Sequence, residues 1–89
     1  MPKFLVEWNL PPELTRDKYD NNKKKSLDIY AQLPNCDWIS TYLSDDMSKC
    51  YCLYEAESEE AVIEARDAVS AKIDKIVRVD ELTETDYRE

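Results

Sequence analysis

The sequence predicts an α+β domain in which a four-stranded antiparallel sheet is covered on one face by two helices. Two observations predict it. Apolar residues recur with a period of two in some segments, typical of strands, and of three to four in others, typical of helices. In chain order these segments read β-α-β-β-α-β. The 89 residues suffice for one domain, which we place at residues 1–82, with an acidic C-terminal tail at residues 83–89.

The first strand and the first helix are separated by two prolines. Residues 3–10, KFLVEWNL, alternate as a strand does, and Pro11 and Pro12 end the strand. Thr15 is then in place to cap a helix, which Pro34 is predicted to end. One stripe of this helix, at spacings of three and four residues, is predicted to face the sheet: Tyr19, Lys23 through its aliphatic stem, Leu27, Tyr30 and Leu33.

The next two strands are predicted to form a hairpin. Residues 37–43, DWISTYL, are rich in aromatic and β-branched side chains. Residues 44–48 have the composition of a turn, and residues 49–56 form the third strand.

The second helix is predicted to begin after Ser58, a typical N-cap residue, with Glu59 and Glu60 at the positive end of the helix dipole. Its predicted inner stripe is Ala61, Val62, Ala65, Ala68 and Val69. Residues 75–82, KIVRVDEL, form the fourth strand, and residues 83–89 are predicted to be a frayed tail. The complete order is the split βαβ pattern of ferredoxin-like domains, in which the first and third strands lie side by side in the centre.

The composition restricts the functions that the chain can have. Twelve Lys and Arg against 20 Asp and Glu give a net charge of −8. Such a surface repels the phosphates of nucleic acids and anionic membranes, so we expect neither partner. No apolar run approaches the ~20 residues of a membrane span, and no leader precedes the first strand, so we expect a cytoplasmic protein. The absence of glycine excludes phosphate-binding loops built on glycine.

The sequence Cys50-Tyr51-Cys52 could be a metal site, a redox pair or part of a strand. Its interpretation depends on the composition of the chain, which has three cysteines and no histidine. Closure of the hairpin around its turn places Cys50 opposite Leu43. Cys52 then lies opposite Thr41 on the same face, whereas Cys36 lies at the far end of the second strand. Three thiolates do not converge in this arrangement, and no imidazole is present to complete a zinc site. We therefore expect Cys50 and Cys52 to be reduced packing residues, and no cofactor to be bound.

The predicted sheet is apolar on both faces, although two helices cover only one. One face carries Phe4, Val6, Trp8, Cys50, Cys52 and Tyr54. The other carries Leu5, Tyr51 and Leu53, with either Ile39 and Leu43 or Trp38 and Tyr42, depending on the register of the hairpin. Burial of apolar surface stabilises by roughly 25 cal/mol per Å², so an exposed second face is unfavourable. We therefore predict a homodimer that packs sheet against sheet around a barrel-like interior.

Two carboxylates share the second face with these apolar residues. Glu7 and Glu55 lie on the two central strands, and the antiparallel arrangement predicts that they are direct or diagonal neighbours. Partly buried carboxylates either pair with a cation or have a function. Pairing with Arg78, Arg66 or a lysine is the structural alternative. Binding of a cation or a polar ligand is the functional one.

Three segments resemble a family of small ferredoxin-like domains of unknown function that is grouped with nickel-binding proteins. They are FLVEWNLP, WISTYLSDD, and YCLYEAESEEAVIEA with IDKIV after it, and they span most of the chain from Phe4 to Val77. The resemblance implies the same fold, usually as a dimer. It also implies metal or small-ligand binding of the kind proposed for some members.

The resemblance further implies where a ligand would bind. Glu7 falls on the glutamate that follows the apolar residues of the first strand in the family pattern. Ser40 and Arg66 fall where members often have histidine, and Ser70 or Ala71 stands where glycine is common. Because the histidines are missing, the nickel site does not transfer. The candidate ligand-binding residues are Glu7, Ser40, Tyr42, Tyr51, Glu55 and Arg66.

Three kinds of function are compatible with these observations. The first is a non-enzymatic module that binds a small ligand or a cation in the sheet cavity of the dimer. The second is a cofactor-free enzyme in which Glu7 or Glu55 acts as general acid or base, although the chain has no histidine and no nucleophile beside a base. The third is a structural or regulatory interaction protein. We favour the first.

Overall fold

The computed structural model describes residues 1–33 and 35–88. Its elements are, in chain order, β1 (Lys3–Asn9), α1 (Arg16–Ala31), β2 (Cys36–Leu43), β3 (Lys49–Ala56), α2 (Glu59–Ala68), β4 (Lys75–Val79) and the single turn α3 (Glu84–Tyr87). The strands form one antiparallel sheet in the order β2-β3-β1-β4. The predicted ferredoxin-like fold, with β1 and β3 in its centre, is therefore confirmed. Within the described part of the chain, no helix is long and apolar enough to cross a membrane.

The elements differ from the predicted ones mainly at their ends. β4 ends at Val79, before its predicted limit. α3 forms in the segment predicted to be a frayed tail, because the Thr83 backbone N–H donates to the Asp86 carboxylate and begins a helical turn. α1 ends at Ala31, and the predicted stop at Pro34 lies outside the described residues.

Both long helices begin at the predicted caps. The Thr15 hydroxyl accepts a hydrogen bond from the Lys18 N–H at the start of α1. The Ser58 hydroxyl accepts from the Ala61 N–H at the start of α2. Each cap satisfies one of the backbone donors that a helix leaves unpaired in its first turn.

α2 ends in a Schellman motif, although the chain has no glycine. The Ala71 N–H donates to the Arg66 carbonyl (2.8 Å), and the Ser70 N–H donates to the Asp67 carbonyl (3.0 Å). Ser70 therefore has a left-handed backbone with φ of 57°. That conformation costs a residue with a Cβ roughly 1–2 kcal/mol and is usually taken by glycine. The turn brings the Lys72 carbonyl back to the Arg66 side chain.

The core lies between the helices and one face of the sheet. Its buried residues include the predicted inner sheet residues and one face of each long helix: Phe4, Val6, Cys50, Cys52, Tyr54, Tyr19, Tyr30, Val62 and Ala65. Leu27, predicted to face the sheet, is 44% exposed, because it lies about 80° around the helix from Tyr19 at 3.6 residues per turn. Ala68, predicted to lie in the inner stripe of α2, is also exposed, because it lies away from the middle of the inner face of its helix. α2 instead turns Arg66 inward, where it is 2% exposed.

A β-bulge in β2 determines from which face of the sheet each side chain of this strand projects. The pairing of Cys50 and Cys52 with β2 is as predicted. The register shifts between Trp38 and Ser40, as it does where one strand accommodates an extra residue. Trp38 therefore belongs to the helix face, and Tyr42 belongs to the open face, by which we mean the sheet face without helices. The two predicted alternatives for this face were Ile39 with Leu43 and Trp38 with Tyr42. Neither is correct, because each assumed that β2 is a regular strand.

Replacing Ser70 by glycine should stabilise the fold. Glycine adopts a φ of 57° without a Cβ clash, and the net gain, after the larger entropy of glycine in the unfolded chain, is about 0.5–1 kcal/mol. Ser26→Gly, inside α1, is the matched control and should lower the free energy of unfolding by about 0.5 kcal/mol. Urea denaturation measures both. A Ser70→Gly protein no more stable than the wild type would contradict a strained turn.

Candidate functional site

The structure divides the six candidate residues between the two sides of the sheet. Five of them project from the open face, as the pairing of the strands shows: Glu7, Ser40, Tyr42, Tyr51 and Glu55. Arg66 lies on the helix side, buried in the core. The six residues therefore do not form one site.

Glu7 and Glu55 are not neighbours, contrary to the prediction. Glu7 pairs with Tyr51 on the β1–β3 ladder, whereas Glu55 pairs with Lys3 at its other end. Glu7 Oε1 lies 3.8 Å from Lys49 Nζ. Glu55 Oε2 lies 3.9 Å from Lys3 Nζ. Both ion pairs are partly exposed, and such pairs stabilise by at most about 1 kcal/mol. The contacts match the structural alternative, pairing with lysine, and the two acids do not form a catalytic pair.

The other candidates on the open face belong to a mixed surface. Tyr42 is 59% exposed and lies opposite Tyr51. Ser40 lies opposite Leu53, and its buried Oγ has no hydrogen-bond partner among the described residues. Val77 of β4 continues the apolar surface beyond β1 and is 42% exposed. The open face is thus apolar along its middle and carries Lys–Glu pairs toward its ends.

A cleft of about 440 Å³ lies on the other side of the sheet, between α1 and the end of α2. Trp8 and Cys52 reach it from the central strands. Its walls combine apolar residues with three cations and two tyrosines: Leu14, Ile29, Ala68, Val69 and Ala71, then Lys23, Lys25 and Arg66, then Tyr19 and Tyr30. A concave surface of this size and composition is typical of small-molecule sites.

Arg66 is a buried cation in this cleft. Its Nε donates to the Lys72 carbonyl (3.1 Å), to which Nη2 also donates. Its Nη1 donates to the Tyr54 hydroxyl (2.9 Å). The guanidinium lies 5.4 Å from the centre of the Trp8 ring. Among the described residues no carboxylate lies within salt-bridge distance of Arg66, so its charge is solvated by neutral groups only.

Lys23 supplies a second positive charge. Its Nζ lies 4.2 Å from the centre of the Trp38 ring and 5.6 Å from that of Tyr30, within the range of cation–π attraction. Burial lowers the pKa of the Lys23 ammonium from its ordinary value, because the charged form loses water. No salt bridge involves Lys23 in the described part of the chain.

Two thiols lie between these cations and the sheet. The Sγ atoms of Cys50 and Cys52 are 3.5 Å apart. The contact with Cys50, a hydrogen bond from Thr41 and the nearby cations lower the pKa of Cys52. The contact with Cys52 and burial raise the pKa of Cys50. Cys36 stands apart, and burial raises its pKa to about 11. All three cysteines are buried and unpaired.

The indole of Trp8 lines the cleft and carries an unpaired donor. Its Nε1 is buried and has no hydrogen-bond partner among the described residues. An unpaired buried N–H loses the free energy of its hydration. Beside this ring, Lys23, Lys25 and Arg66 bring three positive charges to a largely apolar cleft, an arrangement suited to an anion.

Sequence reasoning missed this cleft for identifiable reasons. We expected the aliphatic stem of Lys23 to pack against the sheet, but we did not consider that its ammonium group would lie on the same side. Arg66 was considered for a histidine-like position on the sheet cavity, and Trp8 as a packing residue. The signal that could have found the site is the spacing of Arg66 from Val62 and Ala65, which places a cation on the buried face of α2.

The comparisons with known proteins agree with this fold. The family profile described as "Nickel responsive protein SCO4226-like" matches residues 4–79. A similar solved structure is that of SCO4226 from Streptomyces coelicolor A3(2), with a TM-score of 0.76 and 21% sequence identity, covering 91% of this chain and 99% of that chain. At this identity the likeness shows the fold alone. No curated protein matches the sequence significantly.

Removing the Tyr54 hydroxyl should destabilise the fold. This oxygen accepts from Arg66 Nη1 (2.9 Å) and lies 3.0 Å from the Tyr30 hydroxyl, so Tyr54→Phe leaves a buried cation short of a partner. We expect a loss of about 1–3 kcal/mol in the free energy of unfolding. Tyr42→Phe removes the same atom from an exposed tyrosine and should have little effect. Equal stability of the two variants in urea would show that Arg66 does not need this contact.

Proposed function

The chain belongs to the SCO4226-like family of nickel responsive proteins, and we propose that it is a non-enzymatic module that binds a small organic anion in the cleft between α1 and α2. One observation carries the proposal. Arg66 is 2% exposed and lines the cleft, yet none of the carboxylates that the structure describes pairs with it. The proposal develops the small-ligand alternative of the sequence analysis and moves the site from the open face to the helix face.

The residues of this chain do not fit a nickel ion. Imidazole is the protein ligand that suits nickel, and the sequence has no histidine. Within residues 1–33 and 35–88, no three Cys, Asp or Glu side chains lie close enough to hold one metal ion. The nickel response in the family description is therefore not part of the proposal.

The charges of the cleft favour an anion over a neutral or cationic ligand. A buried charge loses its hydration, and proteins compensate by pairing it with an opposite charge. Lys23 and Arg66 both line the cleft, and their mutual repulsion is strongest when nothing negative lies between them. A carboxylate or sulfonate placed beside them would relieve both costs. A guanidinium also matches the planar geometry of a carboxylate.

The remaining lining indicates that the ligand has an apolar body. Leu14, Ile29 and Val69 form apolar walls, and the aromatic ring of Trp8 lies beside them. The cleft volume of about 440 Å³ lies in the usual range for sites of small organic molecules, about 300–1,000 Å³. We therefore assign the ligand to the class of small aromatic or branched organic acids.

We further propose that two copies associate through the open face. Tyr42 and Val77 leave apolar surface exposed there, on either side of the central strands. The Lys3–Glu55 and Lys49–Glu7 pairs bring both signs of charge to each end of the face, so a two-fold axis through its centre places opposite charges within reach of each other. The occupant that suits this face is therefore a second copy of the same chain.

A reducing compartment fits the state of the cysteines. Cys36, Cys50 and Cys52 are all unpaired, and oxidising compartments favour disulfides. We therefore propose that the protein acts in the cytoplasm.

The ligand proposal predicts that Lys23 and Arg66 control anion affinity. A suitable probe is 8-anilinonaphthalene-1-sulfonate, an aromatic anion whose fluorescence rises in apolar surroundings. Lys23→Gln should weaken its binding about tenfold, corresponding to 1.4 kcal/mol. Lys24→Gln removes the same charge from an exposed position on α1 and should leave the affinity unchanged. Fluorescence titration at constant ionic strength measures both.

Two further measurements test the charge of the ligand and the aromatic wall of the cleft. Benzoate should displace the probe, whereas the neutral amide benzamide should not. Trp8→Phe replaces the indole that lines the cleft by a smaller ring, and it should weaken binding without changing the charge. If Lys23→Gln and Lys24→Gln bind the probe equally, or if benzamide competes as well as benzoate, the cleft does not select anions and the proposal fails.

The dimer proposal predicts that a charge on the apolar part of the open face separates the copies. Tyr42→Lys should convert a dimer into single chains of 10.5 kDa, because an ammonium group would be trapped against apolar surface. Ile63→Lys, which changes an exposed apolar residue on the outer side of α2, is the matched control and should remain dimeric. Light scattering at micromolar concentration reports the mass. A wild-type protein with the mass of one chain would refute the dimer.

A further inference from the structure

Lys23 places a primary amine in the same cleft as the buried cation Arg66. Both residues line the cleft, together with the apolar side chains of Leu14 and Val69. A primary amine in apolar surroundings is the usual setting of lysines that condense with carbonyl compounds. We propose that Lys23 forms a reversible imine with small aromatic oxo acids, by which we mean organic acids that also carry an aldehyde or ketone group. This reaction rests on the anion site proposed above and identifies the reactive group of its ligand.

The surroundings of Lys23 distinguish it from its neighbours in α1. Its side chain is partly buried, whereas Lys24 and Lys25 are exposed. Burial is the largest cause of the lowered pKa of Lys23, and the charge of Arg66 acts in the same direction, while the two thiols of β3 act against it. A lower pKa leaves a larger fraction of the group as the neutral amine, whose lone pair is the nucleophile. Lys25 also lines the cleft, but its exposure keeps its ammonium group hydrated.

Two aromatic rings border the amine. Lys23 Nζ lies 4.2 Å from the centre of the Trp38 ring and 5.6 Å from that of Tyr30. The face of each ring attracts a cation, and a protonated imine is a cation centred on the same nitrogen. The rings therefore stabilise the product as they stabilise the ammonium group, and formation of the imine adds no buried charge.

The reaction conserves atoms and charge. The neutral amine attacks the carbonyl carbon, so that a carbon–nitrogen bond forms and the carbon–oxygen π bond breaks. The resulting carbinolamine loses its oxygen as water, and the two hydrogens of that water derive from the original ammonium group. The product is a protonated imine that carries the charge of the ammonium. The step needs no oxidant or reductant, and addition of water reverses it.

Arg66 is the reason why the carbonyl compound should be an acid. Its guanidinium lines the cleft and is 2% exposed, and among the described residues no carboxylate lies within salt-bridge distance of it. A ligand carboxylate bound there holds the rest of the molecule inside the cleft. The carbonyl group then meets Lys23 at a raised effective concentration, because the reaction has become intramolecular.

Reductive trapping with 4-carboxybenzaldehyde tests the proposal. Cyanoborohydride reduces a protonated imine to a stable secondary amine, and peptide mapping by mass spectrometry then assigns the label to a particular lysine or to the N-terminus. We expect Lys23 to be labelled at least about tenfold faster than Lys24, because Lys23 lies in the cleft that holds the carboxylate. Lys23→Arg keeps the positive charge but has no amine, so the fast label should be lost. Lys24→Arg is the matched control and should retain it.

Benzaldehyde, which lacks the carboxylate, gives a comparison that does not depend on the folding of a variant. The ratio of labelling at Lys23 to labelling at Lys24 should be about tenfold lower with benzaldehyde than with 4-carboxybenzaldehyde. Equal labelling of the two lysines by 4-carboxybenzaldehyde would overturn the proposal. Equal ratios for the two aldehydes would also overturn it, since the carboxylate would then play no part.

Benzoate has the carboxylate but no carbonyl group, so its displacement of 8-anilinonaphthalene-1-sulfonate tests the anion site alone. If benzoate displaces that anion and Lys23 is not labelled preferentially, the imine proposal fails and the anion site stands. If benzoate does not displace it, the anion site fails, and the imine proposal that rests on it fails as well.

Discussion

The burial of the Arg66 guanidinium is the constraint on which the helix side of the molecule depends. A cation that leaves water must find oxygen atoms or π-electrons, and Arg66 finds them in the Lys72 carbonyl, the Tyr54 hydroxyl and the Trp8 ring. The contacts with Tyr54 and Trp8 tie the end of α2 to both central strands, and the contact with Lys72 ties it to the segment that follows α2. Because the contacting groups are neutral, the charge of Arg66 has no counterion among the described residues, and this is the basis on which we propose that the cleft binds an anion.

The sequence was sufficient to predict the order of the strands, because β1 and β3 alternate regularly and β2 has the composition of a strand. β3 and its pairing with β2 near the turn were predicted correctly, since a regular hairpin propagates its register from the turn. Trp38 was not placed correctly because a bulge adds a residue without changing the pattern of apolar letters. Leu27 was misplaced for a different reason: steps of four residues drift around α1, and after two such steps from Tyr19 the side chain has left the inner face.

The candidate site was predicted less well than the fold. Glu7 and Glu55 were grouped by strand phase, which fixes the face of a side chain but not its position along the strand. Glu55 pairs with Lys3 and Glu7 pairs with Lys49, all on the β1–β3 ladder. These pairs can be recognised only when the register of the two strands is known. The cleft depends on how far α1 stands from α2, a distance set by packing that no local pattern records. The nickel response in the family description does not help to locate the cleft, because this chain has no histidine, the side chain that suits nickel.

The bulge in β2 has a further consequence for the colloidal behaviour of the protein. β2 and β4 are the two edges of the sheet, and an edge strand exposes backbone N–H and C=O groups to which a foreign strand can add. The bulge between Trp38 and Ser40 interrupts the regular spacing at one edge. The other edge is a five-residue strand that carries Lys75 and Arg78. Both features discourage edge-to-edge growth of sheets, and they therefore lower the tendency of the chain to form fibrils.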